Sequence, residues 1–79
     1  GVKGLVETLV FDSVMFGPGK AVYVKREGCK SRYCLVVDNS GMCLEIAYFR
    51  GDKFVHDYIN VDSVVNGDVY IEPLEPNKK

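Results

Sequence analysis

Between residues 20 and 72 apolar side chains recur at nearly every second position, and that period of two is the strongest constraint on how the chain folds. In KAVYVKR, Val22 and Val24 fall on one face and Ala21 and Tyr23 on the other. RYCLVVD sets Tyr33, Leu35 and Val37 against Cys34 and Val36, and MCLEIAYF sets Met42, Leu44, Ile46 and Tyr48 against Cys43, Glu45, Ala47 and Phe49. KFVHDYI and DVYIEPL continue the series, and β-branched and aromatic residues dominate throughout. The breaks between these runs are turn chemistry: GPG at 17–19, EGCKS at 27–31, DNSG at 38–41, RGD at 50–52 and NGD at 66–68. Short strands so punctuated predict an all-β fold, an antiparallel meander of about five to six strands closed into a small barrel.

The middle hairpin can be given a register. A four-residue DNSG loop pairs Val37 with Met42, Leu35 with Leu44 and Tyr33 with Ile46, which puts every large apolar residue on one side. The other side of that hairpin (Cys34, Val36, Cys43, Ala47, Phe49) is then too apolar for open water, and needs cover from the N-terminal segment or another subunit.

Further along, Val61, Val64 and Val65 are spaced as one helical turn, and Asn66-Gly67 supplies a left-handed stop. A strand, one short 3-10 turn and a last strand resemble the ending of SH3-like small barrels. The resemblance spans about residues 18–74, rests on pattern without a signature motif, and implies a fold but no particular function. Residues 1–16 read as an N-terminal strand or helix packed on that barrel, with Val and Thr content favouring strand, and residues 75–79 as a polar tail. Seventy-nine residues make one domain.

Charge and cysteine usage narrow the classes of partner. The formal net charge is −1, so no global field draws the chain to a polyanion or a membrane surface. Locally the balance is uneven: Lys20, Lys25, Arg26, Lys30 and Arg32 face only Glu27 between residues 20 and 32. Asp52, Asp57, Asp62, Asp68, Glu72 and Glu75 face only Lys53 between residues 52 and 75. No stretch reaches the roughly 20 apolar residues of a membrane helix. No export signal is legible, and three cysteines, an odd number, fit a reducing compartment. The expected location is cytoplasmic.

Catalytic and metal chemistry find little support. His56 and Asp57 adjoin in sequence, but in a strand they point to opposite faces and cannot pair as base and orienter. His56 then shares a face with Phe54 and Tyr58, at the rim of the core. Cys29, Cys34, Cys43 and His56 formally make a zinc set, yet their spacings lack the paired knuckle that structural zinc prefers. In the register above, Cys34 and Cys43 share a face diagonally and read as small buried hydrophobes, whereas Cys29 sits in a basic loop as the candidate reactive thiol. FGPGK lacks the phosphate-loop spacing. No enzyme, cofactor or metal is expected.

Binding is the better-supported class. Tyr23 and Tyr33 flank the loop holding Lys25, Arg26, Lys30 and Arg32, so rings and cations interleave there. Tyrosines, arginines and an apolar second face are the composition of interface hot spots. A protein partner is therefore the first expectation, with a homodimer as one form of it. Size and the lack of a catalytic motif suit an accessory or inhibitory protein of a phage or mobile element. The alternative is nucleic acid, with those four cations on phosphates and Tyr23 or Tyr33 stacking on bases.

Overall fold

The computed structural model describes residues 10–74. Among these residues five antiparallel strands and one short helix follow in the order β1 (Ala21–Arg26), β2 (Arg32–Asn39), β3 (Cys43–Arg50), β4 (Lys53–Asn60), α1 (Val61–Val65) and β5 (Val69–Leu74). The sheet order is β4-β3-β2-β1-β5. Each hairpin pairs with its sequence neighbour, and β5 returns to lie beside β1 along six residues. Among the described residues β4 and β5 are the two edges and share no ladder, so the closure expected of a barrel is not seen in these five strands. α1 packs against both edge strands, which places it over the gap.

Alternation decides which face is buried. Val22 and Val24, Cys34 and Val36, Leu44 and Ile46, Ile59, and Val69 and Ile71 line one side of the sheet. Val61 and Val64 of α1 and Phe11 and Phe16 from the chain before β1 close over them. Val65, grouped with these valines from spacing alone, is exposed.

The β2–β3 register differs from the expected one, and the difference inverts a face. Leu35 pairs with Ala47 and Val36 with Ile46, while beyond a bulge at Val37 Asp38 pairs with Glu45 and Asn39 with Leu44. The shift is odd, so Cys34 and Val36 join Leu44 and Ile46 in the core, and Tyr33, Leu35 and Val37 turn outward. The cause lies in the loop. Asn39 belongs to β2, leaving Ser40–Met42 as the connection, with Ser40 N–H bonded to the Cys43 carbonyl at 3.0 Å and Gly41 at φ +99°.

Asn39 also anchors the chain before β1. Its Oδ1 accepts from Gly41 N–H at 2.8 Å, and its Nδ2 lies 3.3–3.5 Å from the carbonyls of Phe11, Asp12 and Phe16. Within residues 12–16 the expected strand gives way to a single turn. Asp12 Oδ1 accepts from Val14 and Met15 N–H at 2.8 Å each, and Phe16 N–H reaches the Asp12 carbonyl at 3.0 Å. The rest of the strand-or-helix reading, on residues 1–9, and the tail at 75–79 lie outside the described residues. Asn39→Ala should lower unfolding free energy by about 1–3 kcal/mol, because several part-buried partners lose their bonds together. Urea titration checks this, and unchanged stability would deny Asn39 that role.

The expected 3-10 turn is instead five residues of α-helix. Asn66 N–H bonds the Asp62 carbonyl, four residues back, at 2.9 Å, and only the final Gly67-to-Val64 bond at 3.2 Å is of the tighter kind. Gly67 at φ +93° ends it, as Asn66-Gly67 implied.

Candidate functional site

The pleat divides the six candidate binding residues into two sets. On β1, Val22 and Val24 face the core, so Arg26 continues that side while Tyr23 and Lys25 point outward. On β2, Arg32 shares the side of Cys34, and Tyr33 points outward. Arg26 and Arg32, with Lys30 from the intervening loop, meet at a cavity of about 220 Å³ beyond the end of the core. Tyr23, Lys25 and Tyr33 belong to the opposite face.

Arg50 of β3 and Asp57 of β4 complete the cavity, over an apolar floor of Val24, Cys34 and Ile46. Arg26 donates to Asp57 Oδ2 at 2.8 Å and to the Tyr58 carbonyl at 3.4 Å, so this cation and this carboxylate neutralise each other. Arg32 stacks its guanidinium carbon 4.6 Å from the Tyr48 ring centre. Among the described residues, the side chains of Lys30, Arg32 and Arg50 make no hydrogen bond or ion pair. Three uncommitted cations therefore surround one balanced pair.

Burial pushes the Cys34 thiol above its ordinary pKa; Arg32 and Arg26 pull against that rise, and Asp57 adds to it. A raised folded-state value means the fold prefers the protonated thiol. The contribution is complete below the ordinary thiol pKa and is lost as pH climbs through the folded value. With iodoacetamide at pH 8, exposed Cys29 should be alkylated well before Cys34, which should react only on unfolding. Equal rates by peptide mass mapping would contradict the burial. Cys34 and Cys43 do not share a face as expected: Cys34 lies in the core and Cys43 is half-buried on the outer side, beside Glu45.

The outer face is the larger feature. Phe54 and Phe49 lie with ring centres 4.9 Å apart, Tyr23 and Tyr33 at 5.6 Å, and Tyr23 and Tyr70 at 6.1 Å. Tyr33 is 70% exposed, Phe49 68%, Tyr58 60% and Phe54 52%. At about 200 Å² per aromatic side chain, these four alone leave on the order of 500 Å² open. Leu35, Val37, Tyr70 and Leu74 extend the patch. That reaches or passes the largest patch of a typical monomer, roughly 300–600 Å². Ala47, on the same face, is buried between its register partners Leu35 and His56.

His56 stands exposed on this face, not at the core rim. Its Nδ1 is 3.0 Å from Glu45 Oε2 and its ring meets Phe54 edge-on at 5.4 Å. Asp57 points the other way to Arg26, so the adjacent pair makes no dyad. Among the described residues no cluster of three potential metal ligands forms, and no helix is long and apolar enough to cross a membrane.

Sequence reasoning missed Tyr48, Arg50 and Asp57 at the cavity, and Phe54 and Tyr58 outside; Phe49 was expected on an apolar second face, but in company with Cys34 and Val36, which the structure puts in the core. The cavity had a readable signal. Arg26, Arg32 and Arg50 each continue the core-facing parity of their strand to its end, so three neighbouring strands aim a guanidinium at one place. Comparison with protein-family models, curated proteins and solved structures gives no match to this chain.

Proposed function

We propose that the chain is a non-enzymatic binding module, a small SH3-like barrel whose outer sheet face docks a protein partner in an accessory or inhibitory role. The observation that carries this reading is the exposed outer row of Tyr33, Phe49 and Phe54, with exposed Tyr58 farther along the same face opposite Glu45. Aromatics gathered at a charge-poor centre are the composition of interface cores. The patch is also of the order needed for a standard interface, roughly 800 Å² per partner. Lys25 and Glu45 lie on the same face. The partner is accordingly a folded protein with an apolar centre, a carboxylate placed for Lys25 and a cation for Glu45.

Single-stranded nucleic acid is the second reading, favoured by Tyr23 and Tyr33 lying side by side near Lys25. Against it, Arg26 and Arg32 lie across the sheet from those rings.

Site-specific photocrosslinking separates the possibilities. Benzoylphenylalanine in place of Tyr33 or of Phe49 should yield one common protein adduct, absent when the probe replaces exposed Val65 on α1. An adduct of twice the chain mass would make a second copy the occupant. A nuclease-sensitive adduct would move the assignment to nucleic acid, and no position-dependent adduct would overturn the docking face.

A further inference from the structure

The cavity at the end of the core has no part in the docking face, which lies on the other side of the sheet, and its chemistry stands independently. We propose that it is a phosphate-binding subsite, filled by the phosphate monoester of a small organic molecule or by the terminal phosphate of a nucleic-acid strand.

The charge inventory gives the chemistry. Arg26 and Asp57, 2.8 Å apart, cancel, and Lys30, Arg32 and Arg50 are left without protein acceptors among the described residues. Three free cations around one cavity repel one another, and an anion relieves that repulsion. A phosphate monoester brings close to two charges and three strong acceptor oxygens at neutral pH. It can engage all three cations, whereas a single carboxylate leaves two unneutralised. Guanidinium groups present paired N–H donors that match phosphate oxygens two at a time. Arg32 is held in place by the Tyr48 ring, so little side-chain freedom remains to be lost on binding.

Shape sets the size of the ligand. The cavity, about 220 Å³, is smaller than the roughly 300–1,000 Å³ pockets that enclose drug-sized ligands. It admits a phosphate and the first part of what carries it, not a whole dinucleotide. The apolar floor of Val24, Cys34 and Ile46 lowers the local dielectric and strengthens each charged contact.

Calorimetric titration with inorganic phosphate at low ionic strength tests the subsite. Saturable binding at about millimolar concentration is expected. Arg32→Gln and Arg50→Gln should each weaken it by about tenfold or more, while Lys20→Gln, outside the cavity, leaves it unchanged. Arg32→Lys keeps the charge but loses the paired donors, and should retain part of the binding. Amide spectra of each variant establish that it is folded; because the Arg50 side chain makes no hydrogen bond or ion pair among the described residues, its variant reads the subsite even if Arg32→Gln disturbs packing. AMP against adenosine, and a 5′-phosphorylated against a 5′-hydroxyl oligothymidylate, then distinguish the two sources. No saturable phosphate binding, or equal binding by all variants, overturns the assignment.

Discussion

Phe16→Ala should leave the chain largely unfolded near 37 °C, although Phe16 belongs to no strand or helix. The residue is fully buried, and its ring meets that of Phe11 edge-on at 5.5 Å within the core formed by the sheet and α1. Removing a buried phenylalanine costs about 3–5 kcal/mol, and a single core in a chain this short rarely supplies more than about 3–5 kcal/mol. In a domain of this size each kcal/mol moves Tm by about 4–8 °C, so a fall of roughly 12–40 °C is expected by circular dichroism. Val14→Ala is the internal control. It lies in the same turn, is 72% exposed, and should change stability by no more than about 0.5 kcal/mol. If the two variants melt together, residues 10–16 are an appendage and the sheet folds without them.

That segment marks the limit of what the sequence discloses. The Val and Thr content of residues 1–16 favoured a strand, but within residues 12–16 Asp12 takes two backbone N–H groups on one carboxylate oxygen and winds a turn. The stabilising event is a side-chain bond between near neighbours, invisible to apolar periodicity. Strand positions were legible because one side of each strand is buried and the other is wet, which writes a period of two directly into residue type. The order of the faces was not. Tyr33 and Leu35 are larger than Cys34 and Val36, so size assigned their side, with Val37, to the core; the bulge at Val37 and the three-residue Ser40–Met42 loop reversed the choice. A rule that sends large residues inward fails where the outer face is itself apolar, and such a face is what a binding surface requires. The same reversal hid the outer row, since Phe49, Tyr33 and Phe54 gather only in the observed register. At the cavity the basic loop was visible, yet its separation from the tyrosines depends on which residues of β1 and β2 face inward.

Tyr33→Ala and Phe49→Ala should abolish partner binding while leaving the fold intact. Both are about 70% exposed, so truncation removes few contacts within the chain and stability should stay within about 1 kcal/mol of the parent. In the complex the same rings would be desolvated at the middle of the patch, between the Tyr23 ring on one side and the Phe54 ring on the other. Central aromatics are where binding energy concentrates, and each truncation there costs about 2–4 kcal/mol, roughly 30- to 1,000-fold in Kd. Leu74→Ala, at the last residue of edge strand β5, should cost far less, because rim contacts mainly exclude water. Titration of the crosslinked partner, purified, against the three variants makes the comparison. The salt response identifies the occupant independently: binding driven by apolar area is nearly indifferent to salt, whereas contacts to phosphates weaken steeply between about 50 and 200 mM. A Leu74→Ala loss as large as that of Phe49→Ala would mean that the energy is spread along the edge. The partner would then be adding a strand beside β5, and the aromatic row would lie outside its interface.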